Sequence, residues 1–320
     1  MRKVRREYTH PAVQEIRGAT LRFKMLIGDY PYYVEDYRRY VEETLALHPR
    51  LSHVRARLQL EHTLVMAGGR SSVGFRPGTV PSPDGGHYLV RVEHPHRFDD
   101  ADLVVDYSLP NIHNVRDSGH FADIAEKLTY VPPLLFPYNA PPRDAHPLVT
   151  MFLKPREPRR RRARESLATA RRAERSPVEL IGRLWAWARA DRRPALTPRC
   201  RNVTECWGDD LRELLLGTRI LVNVHQTDHH HTLEELRLLP ALLSGVVVVS
   251  EDVPCRELVP YHEYIVWTDY DSLSSTVARV HREYDAYFAK FFGPQSDLPN
   301  VLERIRQRTH DELAMRELAV

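Results

Sequence analysis

Residues 220 to 251, ILVNVHQTDHHHTLEELRLLPALLSGVVVVSE, place an apolar strand, a polar turn, a helix and a second apolar strand within one short stretch. Ile220 to Val224 is β-branched and apolar at consecutive positions, as a strand buried on both faces of a parallel sheet must be, and Val246 to Val249 repeats the pattern. Between them Thr232 is placed to cap a helix running to residue 244, with Leu233, Leu236, Leu239 and Leu243 at helical spacing and Gly245 ending it. The reading is a βαβ unit. Its polar turn, His225 to His231, lies at the carboxyl end of a strand and the amino end of a helix. In open α/β sheets ligands bind at that edge, and the free N–H groups and helix dipole suit a phosphate.

The chain has 320 residues, of which 42% are hydrophobic, enough for buried cores in one large or two ordinary domains. Its 46 basic and 43 acidic residues leave a formal charge of +3, which does not by itself call for a polyanion partner. Cys200, Cys206 and Cys255 form no CxxC pair and cannot all be disulfide-bonded, which favours a reducing compartment. No run approaches the length of an apolar membrane helix, and the start MRKVRREYTH lacks the apolar core of a signal peptide. These features predict a soluble, cytoplasmic protein, in which the sequon at Asn202 is a chance match.

Around the βαβ unit the pattern alternates. Helical periodicity covers 33–47, where Tyr37, Tyr40, Val41 and Leu45 share a face. Strand-like runs follow at 63–67, 88–92, 103–107 and 128–135, divided by Gly/Pro-rich turns. Six prolines between Pro132 and Pro147 precede an apolar strand at 148–153 and an arginine run, and a domain boundary is placed near residue 145. Beyond it the expected order is helix 158–174, helix 208–216, strand 219–224, helix 232–244, strand 246–250, strand 264–268, and helices 271–291 and 298–317.

Chemistry-bearing residues gather at strand ends. His225, His229, His230 and His231 could converge on a metal, but no second pair has zinc spacing, so no metal site is expected. They read either as an exposed polar loop or, as preferred here, as donors with Gln226 and Thr232 to a diphosphate beside a helix amino end. Lys154 follows the strand 148–153 and is placed to neutralise that diphosphate, while Arg159 to Arg164 reads as a solvated helix face. That run lacks interleaved aromatics, so nucleic acid is not an expected partner. Glu235 and Arg237, with Glu234, are either ordinary charge on the first helical turns or ribose contacts; Ser250 and Glu251 end the next strand and read as cap or ligand residues. In the first half Asp106, Glu93 and His120 are candidates for a general base, Asp106 first, although an Asp followed by Ser and Pro is as readily a turn residue.

The combination of 106–112 (DYSLPNI), 131–133 (VPP), His225-Gln226, 230–237 (HHTLEELR), Ser250-Glu251 and 260–265 (PYHEYI) resembles glycosyltransferase-like proteins of large algal viruses and algae, and through them GT-B-type glycosyltransferases. The resemblance covers roughly residues 60 to 290. It implies two Rossmann-like domains facing a cleft, an acceptor-side domain at 1–145 and a nucleotide-sugar domain at 146–320. It also implies a UDP- or GDP-linked sugar as co-substrate, no separate cofactor, and a glycan or other hydroxyl acceptor. Where many retaining enzymes of that class carry a ribose-binding glutamate, this chain has Pro240. A non-catalytic nucleotide- or glycan-binding protein on the same fold is the alternative, since fold does not fix function.

Overall fold

The computed structural model describes residues 35–53, 56–59, 62–66, 76–81, 87–92, 101–118, 125–140, 148–152, 162–163, 199–203, 206–225, 233–253 and 256–319. It is an α/β protein with two parallel sheets. Strands β7 (Leu148–Phe152), β8 (Arg199–Val203), β9 (Ile220–Asn223), β10 (Val247–Glu251) and β11 (Ile265–Thr268) form the larger one, in the order β11-β10-β9-β7-β8. Counted along the chain from β7, that order is 2-1-3-4-5, one of the two common orders of doubly wound sheets. β9 and β10 are fully buried and pair with Val247 opposite Ile220 and Ser250 opposite Asn223. Their continuous apolar runs reflect that position between neighbours.

The smaller parallel sheet joins β1 (Ala56–Gln59), β5 (Leu103–Asp106) and β6 (Leu128–Tyr130) in the order β1-β5-β6. The excursion from β1 to β5 forms an antiparallel sheet of β2 (His62–Met66), β4 (His87–Val92) and β3 (Arg76–Pro81). Strand alternation gives β5 two cores. Val104 packs into the large core that surrounds β9 and β10, whereas Leu103 and Val105 pack with Tyr37, Val41, Leu45, Leu51 and Leu313. Helix α1 (Glu35–Ala46) covers that second face, burying Tyr37, Val41 and Leu45 as the periodicity predicts. The Tyr37 hydroxyl donates to the Val131 carbonyl at 2.7 Å, pinning α1 to the chain leaving β6.

Helices α2 (Leu109–Ser118), α3 (Gly208–Leu216), α4 (Glu235–Leu243), α5 (Leu273–Arg282), α6 (Tyr284–Phe292) and α7 (Leu298–Ala319) complete the described elements. α7 belongs to both halves. Its first turns bury Leu298, Val301, Leu302 and Ile305 in the large core, and Leu313 reaches the core over the small sheet. Near its end Arg316 donates to the carbonyls of Glu126 (2.9 Å) and Leu128 (2.5 Å). A second tie is made by Asp36 on α1, whose carboxylate accepts the Gly208 N–H at 2.6 Å at the head of α3.

Several boundaries differ from those the sequence predicts. The helix expected from Thr232 starts after Glu234, while its end is as read: Gly245 has φ +68°, its N–H bonds the Leu242 carbonyl and the Val246 N–H bonds the Ala241 carbonyl, a Schellman arrangement. The strand expected at 128–135 ends at Tyr130 because the following Val131-Pro132-Pro133 run cannot continue the ladder. The helix expected at 271–291 is two, divided at Glu283. Residues 162 and 163 are helical, as expected of 158–174; the rest of that helix and the boundary at 145 lie outside the described residues. Among the described residues no helix is long and apolar enough to cross a membrane.

Candidate functional site

The carboxyl edges of the two parallel sheets meet at one side chain. Glu235, the first residue of α4, is completely buried. Its Oε2 accepts the Tyr130 hydroxyl at 2.8 Å and the Tyr261 hydroxyl at 2.7 Å, and its Oε1 accepts the Leu109 N–H at 3.3 Å. The donors come from three places: the carboxyl end of β6, the turn preceding the 3-10 helix His262–Tyr264, and the first residue of α2. Burial pushes the Glu235 carboxyl up to about 8, against the pull of the Tyr261, Tyr130 and Leu109 hydrogen bonds. Tyr130 and Tyr261 are raised well above the ordinary phenol value, first by burial and then by the neighbouring Glu235 charge. Glu235 is the residue that the sequence reading offers as a ribose contact. With both oxygens occupied by protein donors, it serves the junction between the sheets.

Asp106 stands beside Tyr130 in the β5–β6 register, at the last position of its strand. It too is completely buried, and its Oδ1 accepts the Ser108 N–H at 2.7 Å, while the Ser108 carbonyl accepts from the Ile112 N–H at 3.0 Å. This is the turn-residue arrangement. The Asp106 carboxylate, first among the candidate bases of the sequence reading, is buried and shapes the entry to α2.

His225, Ser250 and Glu251 are brought together at the ends of β9 and β10. The Glu251 carboxylate, 4% exposed, accepts the His225 N–H at 2.6 Å. Asn223 donates to the Ser250 hydroxyl at 3.1 Å, which in turn donates to the Glu251 carbonyl at 3.0 Å. His225 Nε2 lies 3.3 Å from the Asp252 carbonyl. Glu251 thus holds the first residue of the polar turn in line with the neighbouring strand. Arg237 pairs with Glu234 at 2.6 Å, ordinary charge on the first turn of α4. Gln226, His230, His231, Thr232, Lys154, Glu93 and His120 lie outside the described residues. Among the described residues no group of His, Cys, Asp and Glu is arranged to hold a metal ion.

Tyr130, Tyr261 and Asn223 have no functional reading in the sequence. Tyr261 sits inside 260–265 (PYHEYI), but what gives it a role is a carboxylate 26 residues away in the chain. A glutamate at an apolar helix's first turn is the sequence signal that could have prompted a search for buried donors.

No family model matches the chain. A stretch of 78 residues is 33% identical to an uncharacterized protein of Acanthamoeba polyphaga mimivirus, covering 23% of this chain and 28% of that relative. The match thus spans just over a quarter of the curated relative's length.

Proposed function

We propose that the chain is a glycosyltransferase that moves a sugar from a UDP- or GDP-linked donor to a glycan or other hydroxyl acceptor, with two Rossmann-like domains, 1–145 and 146–320, facing a cleft. The observation that carries this reading is the strand order. In a 2-1-3-4-5 sheet the topological switch point falls between β7 and β9, and ligands of such sheets bind outside the carboxyl ends of those two strands. β9 leads directly into His225 and the histidine turn, and β7 ends two residues before Lys154. A cation and several imidazoles thus follow the two strand ends where a diphosphate would lie.

On this reading Lys154, His230, His231 and the N–H groups preceding α4 stabilise the leaving diphosphate, with Gln226, Thr232 and Arg237 nearby. His225, Ser250 and Glu251 hold the turn in place. The acceptor's proton goes to Glu93 or His120, since the Asp106 carboxylate is enclosed. The carboxyl edge of the small sheet supplies the acceptor side, because Tyr130 and α2 meet the amino end of α4 there.

One observation favours the alternative, a nucleotide- or glycan-binding protein without turnover: Asp106, Glu235 and Glu251 are all buried and hydrogen-bonded within the protein. Calorimetric titration with UDP and GDP, followed by a hydrolysis assay over a panel of nucleotide sugars, separates the two. Binding with turnover supports the transferase, binding without turnover the alternative, and absence of binding removes the transferase and the nucleotide-binding form of the alternative.

A further inference from the structure

We infer that His48 and His310 form a proton-operated clasp that holds the carboxyl-terminal helix α7 on the small parallel sheet and releases it on acidification. His48 lies just before the 3-10 helix Pro49–His53, and His310 lies in the second half of α7. His48 Nε2 is 3.1 Å from His310 Nδ1, with ring centroids 5.4 Å apart and an interplanar angle of 26°. The rings are stacked with a tilt, and two of their nitrogens face each other within hydrogen-bond reach. A hydrogen bond between two imidazole nitrogens needs one donor and one acceptor, so the contact holds a single proton. A second proton would set two N–H groups of like charge against each other.

The surroundings of the two rings differ. His48 is buried, with its Nδ1 3.6 Å from Glu317 Oε2, and Glu317 Oε1 accepts the Arg50 N–H at 2.7 Å. With Glu317 behind Nδ1, a neutral His48 carries its hydrogen there and accepts through Nε2 from the His310 Nδ1–H; once both rings are protonated, two N–H groups face each other. His310 is held below its ordinary value by burial, by His48 and by Arg306, with Asp311 and Glu303 opposing. Arg306 also acts on Tyr40 of α1, the other element packed at this corner. A base whose value is lowered in the folded state binds fewer protons there than in the unfolded chain. Docking is therefore fully present above the ordinary histidine value of 6.5 and weakens as pH falls below it. The clasp matters because α7 is anchored in both cores, and Leu313 and Arg316 follow His310 on the part that reaches the small sheet.

Hydrogen exchange of the full chain tests the clasp, read as protection factors for residues 306–318 between about pH 7.5 and about pH 5.5, a window in which Glu235, raised to about 8, changes stability with the opposite sign. In the wild type, protection of this segment falls by about tenfold per pH unit below the histidine value, with no such fall in β9 and β10. His310→Gln, which keeps a polar side chain but cannot take the proton, shows a flat profile; His310→Asn, flat on the same grounds, serves if the first variant does not fold at neutral pH. A wild type without the fall, or a variant that retains it in full, overturns the proposal.

Discussion

The Tyr130 hydroxyl and the Glu235 carboxylate, 105 residues apart in the chain, meet at 2.8 Å and join the end of the small sheet to the head of the helix that follows the histidine turn. Tyr261 completes the contact from the far side of β10 in the sequence. The head of α4 is thus tied to the end of β6 and to Tyr261 through one buried acid and two phenols. Removing the Tyr261 hydroxyl should cost about 1 kcal/mol, since the buried Glu235 carboxyl, mainly protonated below about 8, loses a neutral donor. Denaturant unfolding of Tyr261→Phe checks this, and an unchanged midpoint would show that the contact contributes nothing.

Glu235 also gives stability a pH dependence with a defined sign. Its folded value of about 8 lies above the ordinary 4.5, so between these limits the folded protein binds more protons than the unfolded chain. The contribution is fully present below about pH 4.5 and is lost as pH rises through about 8, a change on the order of a few kcal/mol for a wholly buried group. Glu235→Gln, a neutral side chain at every pH, should flatten the decline in melting temperature between about pH 5 and 8. This slope is opposite to that of the histidine clasp, so the two are separated by comparing variants and not by the wild-type curve alone. Identical slopes for wild type and Glu235→Gln would mean that the carboxyl ionises normally.

Gly245 predicts a large local effect. Its φ of +68° is one that side chains other than glycine rarely adopt, and a Cβ there would lie 2.7 Å from the Ala140 Cα and 2.9 Å from its Cβ. The neighbouring Asn139 N–H bonds the Leu243 carbonyl at 2.7 Å, so the 131–140 segment cannot retreat without breaking that contact. Gly245→Ala should destabilise by about 2 kcal/mol or more, from backbone strain and overpacking together. Thermal unfolding reads it directly, and a loss of only a few tenths would mean that the 131–140 segment yields freely.

What the sequence made legible follows burial. β9, β10 and the αL end of α4 were readable because interior strands and a glycine stop carry their signal locally. β8 was not: at the edge of its sheet, residues 199–203 (RCRNV) alternate charge and polarity and have no apolar run to show. α2 was hidden behind Pro110, Asn111 and Asn114, which read as a turn, although Pro is well tolerated in a helix's first turn. The division at Glu283 escaped because Val280 and Tyr284, both buried, keep helical spacing across it. In the candidate site, His225, Ser250 and Glu251 were placed at strand ends from sequence. The role of Glu235 was not, because its donors Tyr130 and Tyr261 come from remote segments.

Asp106 separates a structural from a catalytic acid. Its Oδ1 accepts the Ser108 N–H, and asparagine keeps an oxygen for that bond, so Asp106→Asn should fold and, if the protein is the proposed transferase, retain most turnover. Asp106→Ala should lose about 1 kcal/mol of stability, the usual cost of removing a side-chain acceptor at a helix entry. A well-folded Asp106→Asn with turnover reduced by orders of magnitude would return the base to Asp106 and require the small sheet's edge to open during the reaction.

The last prediction concerns the switch point. If a nucleoside diphosphate lies across the ends of β7 and β9, Lys154→Ala should weaken UDP or GDP binding by about tenfold to a hundredfold, the range expected for losing one charge-assisted contact. His231→Ala should weaken it less, because an imidazole that is neutral beforehand donates without a full charge. Neither change removes apolar area from β7 or β9, so circular dichroism and the melting temperature should stay near the wild type. Calorimetry at two ionic strengths adds a check: a contact made through charge loses affinity as salt rises, and Lys154→Ala should reduce that salt dependence. Unaltered affinity in Lys154→Ala at both salt concentrations would take the diphosphate away from this edge of the sheet, and with it the observation on which the transferase reading rests.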